Sequence, residues 1–112
     1  MTDPQLRDDL LALDNNTYGS LHGVSSLRTL GNGFAKLGWT VRETAWDEVE
    51  TECRWCRITL FDAGGQTTFA GVVDPDRDRD LALILTELGL GYRIELYDVA
   101  RNLVRTLDPD TV

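Results

Sequence analysis

A chain of 112 residues has room for one domain with one core and little space for a second. Its apolar fraction of 42% and charged fraction of 27% are ordinary globular values and argue against wholesale disorder. The formal net charge of −8 argues against two partners that need clustered cations, nucleic acid and an anionic membrane surface.

Asp3 can cap a first helix over Pro4–Asp14, with Pro4 at its first position and Leu6, Leu10, Leu11 and Leu13 on its apolar side. Asn15-Asn16-Thr17-Tyr18-Gly19 is a cluster of turn formers that ends it. Ser20 then caps a second helical stretch in which Leu21, Val24, Leu27 and Leu30 recur every third residue. Gly31-Asn32-Gly33 should break or bend that stretch, and Gly38 closes a short turn holding Phe34 and Leu37. From Trp39 the period becomes two, and Trp39 to Ala45 reads as a half-buried strand with a reversal at Trp46-Asp47-Glu48.

The longest strand is expected over Val49–Phe61. Its apolar phase slips by one near Trp55-Cys56, which predicts a β-bulge or a sharp coil there. Asp62-Ala63-Gly64-Gly65 is a hairpin turn, and Gln66–Val73 is the returning strand. Asp74-Pro75-Asp76 leads into the clearest helix, Arg77–Leu88, with Leu81, Ile84, Leu85 and Leu88 on one stripe and Gly89 and Gly91 at its end. Tyr92–Tyr97 and Leu103–Leu107 are the last two strands, joined by a turn over Asp98–Asn102. Short connections imply antiparallel pairing. The expectation is one α+β domain over residues 1–112, a five-stranded antiparallel sheet with helices on one face, in the order ααβββαββ. Residues 1–3 and 108–112 are expected to fray.

Cys53-Arg54-Trp55-Cys56 is a C-x-x-C motif, but a redox pair needs a helix after it, and Arg57-Ile58-Thr59-Leu60-Phe61 is strand-like. A zinc site needs a second pair, and the one other soft ligand is His22. Two inert buried thiols are expected; a disulfide or a metal shared across a dimer are the alternatives. Asp74-Pro75-Asp76-Arg77-Asp78-Arg79-Asp80 has the look of a calcium loop, but Leu81 stands where the sharp turn needs Gly. Acidic residues facing a helix N-terminus explain the same letters. Gly31-Asn32-Gly33 lacks the Lys-Ser/Thr of a phosphate loop, and His22 has no carboxylate motif beside it. No catalytic constellation and no cofactor site emerges, so a non-enzymatic role is expected.

The run of helix, three strands, helix and two strands over Leu21–Leu107 resembles the secretion-chaperone fold, and small acidic immunity proteins of toxin systems are similar. The extra N-terminal helix, and the lack of a helix after the last strand, depart from the chaperone pattern. Both resemblances imply a stoichiometric protein binder, the chaperone one as a dimer around a secreted effector. The expected function is an inhibitor of immunity or antitoxin type that occludes a basic partner surface. Its candidate contacts are Asp74, Asp76, Asp78 and Asp80, or Trp55 and Tyr97 with Arg54, Arg57, Arg93 and Arg105 on a bare sheet face. A chaperone of a secreted effector, and a small ligand or metal module at Cys53 and Cys56, are the alternatives. No apolar run approaches ~18 residues, and Met1-Thr2-Asp3-Pro4-Gln5 lacks the order of a secretory signal, so a cytoplasmic location is expected.

Overall fold

The computed structural model describes residues 5–109. The chain runs α1 (Asp8–Leu11), β1 (Thr17–His22), α2 (Leu27–Lys36), β2 (Thr40–Ala45), β3 (Glu48–Glu52), β4 (Cys56–Ala63), β5 (Gln66–Val73), α3 (Asp78–Glu87), β6 (Gly91–Tyr97) and β7 (Leu103–Leu107). All seven strands form one antiparallel sheet in the order β2-β3-β4-β5-β1-β6-β7. The α+β class and the antiparallel pairing agree with expectation; five strands in the order ααβββαββ do not.

The largest correction is β1, which was expected to be turn and helix and instead fills the middle of the sheet between β5 and β6. Thr17 and Leu21 face the core, and only Leu27 and Leu30 of the three-residue repeat are helical. Gly19 sits mid-strand because a Cβ there would overlap the Arg93 carbonyl and the Phe69 ring. A glycine chosen for close approach looks, in sequence, like a glycine chosen for a turn.

Ser26, not Ser20, caps α2: its hydroxyl accepts the Thr29 N–H at 3.1 Å. The helix runs straight through Gly31-Asn32-Gly33. Gly31 is buried there, and a methyl in its place would press to 3.2 Å from Val41. Close packing outweighs the roughly 1 kcal/mol propensity loss. Both long helices end in the same way. The Gly38 N–H donates to Ala35 O and Trp39 N–H to Phe34 O, as Gly89 N–H does to Thr86 O and Leu90 N–H to Leu85 O. With Gly38 at φ +91° and Gly89 at φ +77°, each is a Schellman motif.

The expected long strand over Val49–Phe61 is two strands. β3 and β4 pair from Glu48↔Phe61 to Glu52↔Arg57, and the chain reverses at Arg54-Trp55. The phase slip read from the sequence is therefore a hairpin, the sharp coil rather than the bulge. The Gly64-Gly65 turn, β5 and β7 fall as expected, and α3 and β6 differ from expectation by a residue at their ends.

α2 and α3 pack on one face over Ile58, Leu60, Phe69, Val73, Ile94 and Leu96. Only Asp8–Leu11 of the first helix is helical, while Asp3 and Pro4 lie outside the described residues, as do 110–112 of the tail. This short helix lies on the opposite face, where Leu6 and Leu10 cover Val72. The sheet face expected to be bare is thus covered at one end. Glu52, 4% exposed, holds that segment: it accepts the Leu6 N–H at 2.7 Å and an Arg42 N–H at 2.7 Å. Buried Asn16 continues the ladder of β5, donating to Val73 O at 2.8 Å and accepting from Val73 N–H at 2.9 Å.

Among the described residues, one buried side-chain group is left unsatisfied. Thr51 is 0% exposed on the helix-covered face, and its hydroxyl has no hydrogen-bond partner among the described residues. Thr51→Val keeps the shape and removes the orphan oxygen, so it should stabilise the fold by about 1 kcal/mol. A urea midpoint that stays in place or falls would show that the hydroxyl is hydrated or bonded in solution.

Candidate functional site

The acidic tract before α3 does not form a free carboxylate surface. Asp78 is interior, with a side chain 3% exposed, and accepts from Arg105 Nε at 2.6 Å. Asp74 is held by the Arg7 guanidinium at 2.7 Å, and Asp80 by Arg77 at 2.7 Å. The Asp76 N–H and the Arg7 guanidinium both donate to Asp74 and hold its carboxyl below the usual aspartate range against partial desolvation. Asp76 alone of the four is exposed with no ion pair among the described residues.

Trp55 faces the helices. Its ring meets Trp39 at 5.4 Å and 80°, and the Arg77 guanidinium lies 4.6 Å above it. Arg105 is likewise on the helix side with Asp78, and Arg54 sits in the β3–β4 turn, which corrects their expected place on the open face. Arg57 and Arg93 do lie there, by register with Val72 and Ser20. Tyr97 is on that face, edge-on to Tyr18 at 5.7 Å and 82°, whereas Tyr92 is buried in the core as its opposite parity requires.

Cys53 and Cys56 flank the β3–β4 turn, with the Cys53 N–H donating to Cys56 O at 2.8 Å. Both are free thiols in the core. Burial pushes the Cys53 thiol up, and the Cys56 thiol well above the ordinary value, so neither is a ready nucleophile. No group of three or more His, Cys, Asp or Glu among the described residues could hold a metal ion, and His22 is exposed at the end of β1. No described helix is long and apolar enough to cross a membrane.

The exposed acidic surface is instead at two neighbouring hairpin tips. The β2–β3 turn presents Trp46, 93% exposed, and the β4–β5 turn stands beside it, tied by the Asp62 N–H to Asp47 O at 3.0 Å. Residues 43–50 and 61–68 contain no Lys, Arg or His. Glu43, Asp47, Glu48 and Asp62 make no ion pair among the described residues. Thr44 donates to Glu48 at 2.6 Å, while Glu50, farther down β3, is neutralised by Arg42. A two-residue turn leaves the indole no neighbour to lean on, and water is its one cover. From sequence, Trp46 is expected only to lie in the Trp46-Asp47-Glu48 reversal; the two-residue turn that the chain makes there holds its side chain out in solvent.

A second concave feature lies at the other end of the open face. A cleft of about 520 Å³ runs between the segment after α1 and the β6–β7 loop, walled by Leu13, Pro75, Tyr97, Val99 and Val104. Arg101 lines it from a loop in which Asp98 accepts the N–H groups of Ala100 and Asn102 at 2.9 Å each. Those donors, the Asn102 backbone first, hold the Asp98 carboxyl below its usual range. Scans against protein-family models, curated proteins and solved structures find no match to this chain.

Proposed function

We propose that the chain is a non-enzymatic protein-binding module that docks onto a basic partner surface, in the manner of an inhibitor or immunity protein. The observation that carries this reading is Trp46, 93% exposed at the hairpin tips among four carboxylates that no cation among the described residues neutralises. A tryptophan left in water costs solubility without adding to the core, and tryptophan is the residue most enriched among interface hot spots. The carboxylates around it select the occupant. A partner that brings Lys or Arg over the indole gains both ion pairing and a cation–π contact. The acidic residues before α3 support this role less well, since three of the four are engaged within the fold.

The test uses the native chain as bait in extracts of its own host, beside Trp46→Ala and a Glu43→Gln, Asp47→Asn, Glu48→Gln, Asp62→Asn variant. A stoichiometric partner should lose affinity by roughly 30-fold with Trp46→Ala, the equivalent of a 2 kcal/mol hot spot. Its retention on the native chain should fall as salt rises, and should do so far less on the neutralised variant. A partner that binds both variants as well as the native chain, with no salt dependence, overturns the reading.

A further inference from the structure

We propose that the cleft beside Tyr97 binds a small amphipathic carboxylate, with Arg57 and Arg101 taking its anionic head and the apolar walls its tail. The proposal is independent of Trp46, which lies at the opposite end of the strands: the β2–β3 turn follows Ala45, whereas the cleft gathers around the start of β1 and the end of β6.

Three observations meet here. The first is shape. A volume of about 520 Å³ falls within the roughly 300–1,000 Å³ usual for small-molecule sites, and Leu13, Pro75, Leu96, Tyr97, Val99 and Val104 give it apolar walls between polar groups. The second is charge. In a chain of net −8, the Arg57 and Arg101 guanidiniums make no ion pair or hydrogen bond among the described residues, yet both residues line one recess with Tyr18 and Asn15. Every other arginine lining the cleft is engaged: Arg105 is bound to Asp78 and to Pro75 O. Three carboxylates stand nearby, and Asp76 lines the apolar cleft but not the recess. Asp98 is turned into its own loop by three hydrogen bonds, which leaves Asp14 as the one free acid lining the recess with the two guanidiniums. The third is continuity. The recess and the apolar cleft share Arg101 and Asn15, and a smaller hollow holding Tyr18, Tyr97 and Arg101 joins them.

A carboxylate fits this layout because its two oxygens accept from guanidinium forks, with Tyr18 and Asn15 able to add further donors. An apolar tail then displaces water from the Leu13, Val99 and Val104 walls. Arg101 is the one non-glycine residue with positive φ among those described, at +66°, and the three Asp98 bonds hold the loop in that shape. The backbone thus fixes where this guanidinium starts from, whatever the ligand.

The experiment is calorimetric titration of the full chain with decanoate, decanol and inorganic phosphate, below the micelle concentration of each. Decanoate should bind at one site per chain, at least tenfold tighter than decanol, and phosphate should not bind. Arg57→Gln with Arg101→Gln should abolish that tenfold preference while circular dichroism and the unfolding midpoint stay unchanged. Val104→Asp, on the wall, should weaken decanoate by a comparable factor. The proposal is overturned by equal affinity for decanoate and decanol, by phosphate binding alone, or by a double variant that keeps the preference. Loss of partner capture on Trp46→Ala with decanoate binding intact would separate this site from the docking surface.

Discussion

Arg105→Met should lower the stability of the fold by about 3 kcal/mol, a large share of the roughly 5–15 kcal/mol that holds a domain of this size. The cause lies in Asp78. Its side chain is 3% exposed in the first turn of α3, and the Arg105 Nε donates to it at 2.6 Å from the edge strand β7. A second Arg105 N–H reaches Pro75 O at 2.6 Å, so one guanidinium ties the start of the helix to the outer strand. Methionine fills much of the same volume but leaves a carboxylate buried beside an apolar group. Arg105 is 37% exposed, which admits some water and places the cost at the lower end for a broken buried pair. Asp78→Asn in the same background should recover part of the loss, because a buried amide is cheaper to leave unpaired than a charge. Denaturant midpoints of the two single variants and the double variant check this. A loss below about 1 kcal/mol for Arg105→Met would mean that Asp78 finds water or another donor.

That pair also shows why the sequence alone misleads at the candidate contact. Asp74, Asp76, Asp78 and Asp80 look alike as letters in a helix-capping run, and one face of solvated acid is the economical account. Which carboxylate is interior depends on where Arg7 and Arg105 arrive, one 67 residues and the other 27 residues away in sequence. No local pattern encodes that. The elements from Gln66 onwards were legible because each carries its own signal: two glycines in a turn, an apolar stripe at helical spacing, then strict alternation. The first third was not. β1 is held by pairing to β5 and β6, whose partners lie 46 to 79 residues downstream, and its Asn, Gly and Ser letters argue locally for a turn. The phase slip at Trp55-Cys56 was real, but a two-residue hairpin and a bulge produce the same shift of parity. Length decides between them, since 13 consecutive strand residues would be unusually long against a common length of about 5–6. Tyr97, a candidate contact on the open face, lies there, whereas the cleft beside it needs the loop after α1, which no periodicity locates.

Phe34→Ala carries the largest expected loss, about 4 kcal/mol, from the ring's own burial and the cavity it would leave. Phe34 is 0% exposed, and its ring meets Trp39 at 4.9 Å and 60°, which in turn meets Trp55 at 5.4 Å. The contact does more than fill space. Phe34 and Trp39 are the two residues whose backbones close the Schellman motif at the end of α2, through Trp39 N–H to Phe34 O at 3.1 Å. An apolar contact between these positions accompanies the motif generally, and here it is aromatic. The same rings therefore stop the helix, aim the chain into β2 and seat Trp55 beneath Arg77 at the β3–β4 turn. Phe34→Leu, which keeps most of the volume, should cost no more than about 1.5 kcal/mol. Leu37→Ala, one helical turn away but 43% exposed, should stay within about 0.5 kcal/mol. Urea unfolding of the three variants gives the ranking, and a red shift of tryptophan emission in Phe34→Ala reports the opened ring stack. Equal losses for Phe34→Ala and Leu37→Ala would show that α2 presents a different side to the sheet, and with it that the core has been placed on the wrong residues.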